Sequence, residues 1–266
     1  MVWGNTKRTA CPVCNSADIE NRWKIPMLRL PHDQRVPLRK HQLEYVPAWD
    51  GNTEYWFGAC CRCGSMFTDP FDVSVNSEAI GGNVARNVEK KFGWSGYEYR
   101  HNLIMRNVAL DAHDLIIDIG CGGGQSLIMM REKGVLFKRS IGIDVIALPL
   151  VNLRALGFEA YARPAESEFP EIKPGTADLA IMPEAFEHVR SPYAVAGQIG
   201  RWLKPGGWMY MTAQAIGGDL FINPVETVAT TLPALKIMLG AAGIEIATAI
   251  EPPINCGRWV IFGRKR

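Results

Sequence analysis

The sequence predicts an α/β protein, a doubly wound seven-stranded sheet preceded by a small cysteine-bearing domain, and three observations predict it. From residue 113 onward, short apolar runs alternate with amphipathic stretches of helix length, which is the pattern of βα units around a parallel sheet. One of those runs, Leu115-Ile116-Ile117-Asp118-Ile119, leads straight into a glycine cluster. Ahead of it stand two Cys-x-x-Cys pairs, in a segment with no sustained helical period. The 266 residues, at about 150 per domain, leave room for one full-sized core and an appendage.

Taken in order, residues 1–70 carry Cys, Pro and Trp without helical periodicity, as expected of a small domain held by something other than a large core. Residues 71–110 turn polar and helical, with Phe92, Trp94, Tyr97 and Tyr99, and read as a connector that caps the core. Residues 111–266 form the sheet domain. Strands are expected at 115–119, 140–144, 158–162, 177–182, 208–213, 245–250 and 258–263, and helices at 125–133, 148–156, 192–203 and 232–242. Lys204-Pro205-Gly206-Gly207 reads as a turn, and residues 214–231, with Gly217-Gly218 and Asn223-Pro224, as a long loop.

Composition excludes several classes. The chain is 47% hydrophobic and 21% charged, close to globular averages, so disorder is not expected. The net charge is +2, too small for a protein that grips nucleic acid mainly by its phosphates. Residues 1–70 hold nine Lys+Arg against seven Asp+Glu, and Arg264-Lys265-Arg266, the one dense basic cluster, reads as a solvated tail. The segment Met1–Arg8 lacks the apolar stretch of a secretory signal, so a cytoplasmic protein is expected. No run approaches the ~20 apolar residues of a membrane span, so no membrane partner is expected.

The seven cysteines divide by spacing. Cys11-Pro12-Val13-Cys14 and Cys60-Cys61-Arg62-Cys63 form two knuckles, each able to place two thiolates on one Zn²⁺. Cys11, Cys14, Cys60 and Cys63 are the expected ligands of a structural zinc in a zinc ribbon, residues 36–57 forming a strand-rich excursion between the knuckles. Four thiolates leave no coordination position for a water, so this zinc is not catalytic. Cys61 and Cys256 are left as thiols without a role. Unmetallated thiols are the alternative, and they would leave the module with little core.

The glycine cluster is Gly120-Cys121-Gly122-Gly123-Gly124, followed by the helical stretch from Gln125. Glycines allow the tight strand-to-helix turn and let backbone N–H groups approach a ligand. A dinucleotide fingerprint would need glycine at 125, where Gln stands. Asp118-x-Gly120-x-Gly122-x-Gly124 instead resembles the first motif of the class I S-adenosylmethionine (SAM) methyltransferases, a Rossmann-like fold. Further matches follow in order: Ile141-Gly142-Ile143-Asp144 closing the second strand, Pro183-Glu184-Ala185-Phe186-Glu187-His188-Val189 after the fourth, and Leu203-Lys204-Pro205-Gly206-Gly207 entering the fifth.

That resemblance implies SAM as cofactor and a site built from Asp118, Gly120, Cys121, Gly122, Gly124, Asp144, Val145 and Pro183, with Asp144 accepting the ribose hydroxyls. It places Ala165 and Glu166 beside the adenine, although Pro164 replaces the acid common there, and brings Tyr97 over the site from the connector. His188 is the candidate general base, because a neutral imidazole can take a proton from an acceptor at neutral pH. Helical i−4 spacing makes Glu184 its partner. The loop at 214–231 reads as an acceptor-side lid. With the ribbon, the chain resembles bacterial small-molecule methyltransferases, including those of nucleotide-linked deoxysugars, so the expected partner is a small-molecule acceptor. Two alternatives stand beside this reading, an RNA base methyltransferase with a zinc-containing recognition module and a non-catalytic module that keeps SAM for stability.

Overall fold

A computed structural model of the chain describes residues 8–25, 55–69, 94–108, 113–216, 227–251 and 257–266. Nearly all of the expected excursion at 36–57, most of the connector, the middle of the 214–231 loop and Cys256 lie outside the described residues.

The main sheet has seven strands: β4 (His113–Ile119), β5 (Phe137–Asp144), β6 (Glu159–Ala162), β7 (Ala177–Met182), β8 (Leu203–Gln214), β10 (Ile244–Ile250) and β11 (Arg258–Lys265). Their spatial order is β10-β11-β8-β7-β4-β5-β6. Strands β8, β7, β4, β5 and β6 run parallel, and β11 enters antiparallel between β8 and β10. Parallel neighbours need long crossovers, and helices α2 (Gln125–Glu132), α3 (Ala147–Ala155) and α4 (Pro192–Trp202) supply them. Helix α5 (Leu232–Ala241) leads into β10. Ser191 caps α4 and Thr231 caps α5, each side-chain oxygen accepting the N–H three residues on, with Pro in the first turn of both helices. These strands and helices fall within a few residues of their expected places.

Alternation along β4 sorts the core. Leu115, Ile117 and Ile119 face one side with Ile199, Trp202, Met238 and Leu239. Ile116 faces the other side with Leu127, Leu150, Leu153 and Phe262, where α1 (Trp94–Asn107) adds Ile104. All six residues of β7 are buried, as expected of a strand covered on both faces.

A second sheet joins β1 (Ile19–Ile25), β2 (Tyr55–Cys60) and β3 (Met66–Asp69) to β9 (Val228–Ala229), in the order β1-β2-β3-β9 and antiparallel throughout. The last strand comes from the sheet domain, so the amino-terminal module is completed by a strand from beyond residue 200. Val13, Phe67 and Val228 accordingly belong to the same buried cluster as Ile199 and Trp202.

One expectation changes. The stretch 204–207 is not a turn ahead of a strand but a bulge inside β8: Ala177 pairs with Leu203 and Leu179 with Trp208, so four residues of β8 are accommodated where β7 spends one. Gly206 sits at φ +76°, and Lys204 folds back to the buried carboxylate of Asp178. Arg264 and Lys265 of the basic cluster belong to β11 and Arg266 follows it, with Arg264 and Arg266 exposed to solvent. Arg264 lies 5.4 Å over Trp208, Lys265 Nζ donates to Ala242 O at 2.9 Å, and Arg266 pairs with Glu245 at 3.3 Å. Among the described residues, no helix is long and apolar enough to cross a membrane.

Candidate active site

The carboxyl ends of β4, β5 and β7 meet at the glycine loop. Gly120, Gly122 and Gly124 all have positive φ, at 69°, 54° and 78°, a region closed to most side chains. Gly120 N–H and Cys121 N–H donate to Ile143 O at 2.8 and 3.1 Å, which pins the loop to β5. A Cβ at Gly120 would collide with Ala185, and one at Gly124 with Leu153. The loop is therefore shaped for close backbone approach both to its neighbours and to a ligand. Cys121 is buried among these turns, and burial with the nearby Asp118 and Asp144 pushes its thiol far above the usual range, so it offers no nucleophile.

Asp144 closes β5. Its Oδ2 accepts Gly122 N–H at 2.8 Å and its Oδ1 accepts Ile146 N–H at 2.9 Å. Each oxygen keeps a lone pair for a further donor. Burial raises the Asp144 carboxyl, while those N–H groups pull it down and His188 lies close enough to add to the pull. Val145, the next residue, is an exposed apolar side chain.

Asp118 is different. It is 1% exposed, and neither carboxylate oxygen has a hydrogen-bond partner. Burial pushes its carboxyl up to about 8, against the pull of Arg100 and with a further push from Asp144. An orphaned buried carboxylate is costly unless a donor or cation completes it.

Helix α1 brings Tyr97 and Arg100 over this corner. The Arg100 guanidinium stacks 5.0 Å from the Tyr97 ring centre, donates to Glu184 Oε1 at 2.8 Å and reaches Ser126 Oγ at 3.5 Å. Burial raises the Tyr97 phenol and also that of Tyr210, toward which Arg100 donates.

After β7, Pro183 is buried and Glu184 takes φ +52°, its N–H donating to Thr212 Oγ1 at 2.7 Å. A single 3₁₀ turn, Phe186–His188, follows. The expectation that Glu184 and His188 pair at helical i−4 spacing is thereby overturned, because the left-handed residue breaks the helix and the Glu184 carboxylate is bound to Arg100. Glu187 is completely buried and ion-paired with Arg258 of β11. Ala165 is buried, but Glu166 Oε1 accepts Ser191 N–H at 3.0 Å, so that carboxylate is engaged at the start of α4.

The other cluster is the four cysteines. The Sγ atoms of Cys11, Cys14, Cys60 and Cys63 all lie within 4.8 Å of one another and are buried. Cys11–Cys63 and Cys14–Cys60 separate by 3.7 and 3.5 Å, against about 3.8 Å for the edge of a tetrahedron with Zn–S bonds of about 2.3 Å. The four thiols are thus grouped closely enough that they could hold one tetrahedral Zn²⁺. Cys61 is exposed and outside the cluster.

Sequence reasoning passed over Arg8, Ser126, Tyr210, Thr212 and Arg258. The strand alternation of β8 puts Tyr210 and Thr212 on one face and is the one signal that could have flagged them.

Known proteins share this fold. Residues 94–220 match a family described as a methyltransferase domain. Over that stretch the chain is similar to methyltransferases. A ubiquinone biosynthesis O-methyltransferase of Nitrosococcus oceani is 36% identical over 113 residues, 41% of this chain and 47% of that one. Its counterpart from Burkholderia ambifaria is 33% identical over 114 residues, 39% and 47% respectively. This chain thus spans about half the length of these curated relatives. The fold also matches the SAM-dependent methyltransferase of Mesorhizobium loti, with a TM-score of 0.52 at 14% identity, over 62% of this chain and 96% of that one. Geranyl diphosphate C-methyltransferase of Streptomyces coelicolor matches with a TM-score of 0.53 at 13% identity, over 64% and 76%.

Proposed function

We propose that the chain is a SAM-dependent methyltransferase that acts on a small-molecule acceptor, with a structural Zn²⁺ in its amino-terminal module. The observation that carries this reading is Asp118, a fully buried carboxylate with two unpartnered oxygens beside a glycine loop. The α-ammonium of SAM has the charge and the donors that this carboxylate lacks, so the pocket chemistry fits the cofactor. SAM supplies a methyl group on a sulfonium, already activated for displacement.

The residues of the chain then bind, orient and shield. Asp118 holds the ammonium, and Asp144, with a lone pair to spare on each oxygen, accepts the ribose hydroxyls. Val145 offers its exposed apolar side chain to a purine face. Tyr97 and Arg100, borne on α1, close the methionine end from water. Much of the rate comes from alignment of acceptor and methyl group. His188 takes the acceptor proton where the acceptor is a hydroxyl. The names of the O-methyltransferase relatives support an oxygen acceptor. A net charge of +2 favours a small molecule over RNA.

Isothermal titration of the zinc-loaded protein tests the cofactor: SAM and S-adenosylhomocysteine are expected to bind at one site per chain, and no binding by either sinks the reading. A labelled-methyl screen across phenols, sugar nucleotides, amines and bulk RNA then identifies the acceptor.

A further inference from the structure

We infer that the tetracysteine module is a brace that positions the His188 turn of the active site, and that Arg8 is a positioning residue for it. The inference rests on the proposed role of that turn in methyl transfer. Its basis is where the hydrogen bonds of residues 187–193 go. The carbonyls of Glu187 and Arg190 flank His188. Glu187 O accepts both Thr227 N–H and Thr227 Oγ1, each at 2.9 Å. Arg190 O accepts Arg8 Nη1 at 2.7 Å. Three residues further, Tyr193 N–H donates at 2.9 Å to Pro12 O, inside the first cysteine knuckle.

Each of those partners is itself held by the module. Thr227 O accepts Thr68 N–H at 2.9 Å, and Val228 and Ala229 continue the pairing with Phe67 and Met66. Ser65 and Thr230 hydroxyls meet at 3.0 Å, and Thr231 Oγ1 donates to Cys63 O at 3.0 Å. Arg8 is fixed at three points: its N–H on Asp69 Oδ1 at 2.8 Å, its Nε on Thr68 O at 2.9 Å, and its Nη1 on the turn. The guanidinium also lies 5.8 Å over Phe67.

The turn is thus gripped on both sides of His188 by groups whose places depend on the two knuckles and β3. A lone 3₁₀ turn of three residues has little stability of its own. Metal bound at Cys11, Cys14, Cys60 and Cys63 fixes the knuckles relative to each other. Through Pro12 O, Cys63 O and β3–β9 it also fixes the backbone that presents His188. On this account the module is not an acceptor-recognition domain hung on the chain, and its loss acts on turnover before it acts on cofactor binding, because the Asp118 to Gly124 loop is pinned by β5 and makes none of these contacts.

Hydrogen exchange on the full chain, zinc-loaded and chelator-stripped, tests this. Stripping is expected to speed exchange of residues 186–190 and 227–231 at least tenfold while 115–119 and 140–144 keep their protection. Zinc-loaded Arg8→Met is expected to retain one zinc and wild-type SAM affinity within about twofold, to lose at least fivefold in kcat, and to exchange faster at 186–190. Unchanged exchange at 186–190 together with unchanged kcat in Arg8→Met overturns the inference, also where the stripped chain unfolds as a whole. An equal loss of SAM affinity and kcat in that variant overturns it too, by showing a global defect. The exchange coupling found in a chain that methylates no acceptor overturns the proposed function and leaves the brace standing.

Discussion

Arg100 Nη2 donates to Glu184 Oε1 at 2.8 Å, fastening the capping helix α1 to the turn after β7. Glu184 is held there in a left-handed conformation, at φ +52°, with its N–H on Thr212. Backbone strain of this kind, persisting in a well-packed surround, is a mark of functional turns. The pair is unequal in exposure, at 14% for the Arg100 side chain and 60% for Glu184, so water screens it and its share in stability is below about 1 kcal/mol. Its use is geometric.

Glu184→Gln should therefore separate stability from function. We expect a change in unfolding free energy under about 1 kcal/mol in urea titration, with a fall in kcat/KM of about tenfold, equivalent to about 1.4 kcal/mol of transition-state stabilisation. Equal effects on both measurements would mean that the pair only holds the fold.

Asp118 gives a pH dependence of definite sign. Its folded carboxyl is raised to about 8 from an ordinary 3.8, so the ligand-free fold keeps a proton that the unfolded chain has lost. Stability from this group is full below about 4 and is lost as pH rises toward 8. Cofactor binding runs the other way, since an ammonium needs the ionised carboxylate. SAM affinity should rise close to tenfold per pH unit between 6 and 7.5, measured by titration calorimetry in buffers of differing ionisation heat, which also counts the proton released. Asp118→Asn should weaken SAM at least tenfold and flatten that slope.

The limits of sequence reading follow the same physics. Periodicity exposed β4, β5, β7 and the helices because each buries a whole face, and the glycine loop was visible because only glycine tolerates three positive φ values within five residues. Strand β9 is two residues, Val228–Ala229, too short to carry a period, and its partner β3 lies about 160 residues away, so no local pattern announces the pairing. Glu184 escaped for a related reason. Its neighbours favour a helix, and the left-handed turn is imposed by Thr212 and Arg100 from other elements. The 204–207 stretch has turn residues, yet strand pairing on both sides of it absorbs the turn as a bulge.

The cysteine cluster predicts one zinc per chain by elemental analysis. Chelation should lower the melting temperature by at least about 5 °C, since a metal worth a few kcal/mol shifts a domain of this size by about 2–4 °C per kcal/mol. Cys63→Ser should reproduce the loss, because its Sγ lies 3.7 Å from Cys11. Cys61→Ser should not, its thiol being exposed and outside the cluster. A Cys61→Ser chain that loses zinc would reassign the ligand set.

His188 stands at the end of the 3₁₀ turn, half-buried, with its N–H on Ala185 O at 3.1 Å. As a base for a hydroxyl acceptor it should matter to turnover alone. His188→Ala is expected to lower kcat by about 10²-fold while the Kd for S-adenosylhomocysteine stays within about threefold. Unchanged kcat would show that the imidazole packs the turn and nothing more.

Glu187, one residue earlier, makes the opposite case. It is completely buried, its carboxylate pairs with Arg258 from β11, and its carbonyl takes both donors of Thr227. Removing one member of a buried pair leaves a charge without compensation, which costs about 3–5 kcal/mol. Arg258→Met should thus destabilise the chain by about that amount in equilibrium denaturation, whereas the double variant Arg258→Met with Glu187→Leu should recover most of it, because two apolar groups of similar volume need no partner. Recovery of stability without recovery of kcat would place Glu187 in the service of the turn that presents His188. Recovery of both would confine it to the packing of β11 on that turn.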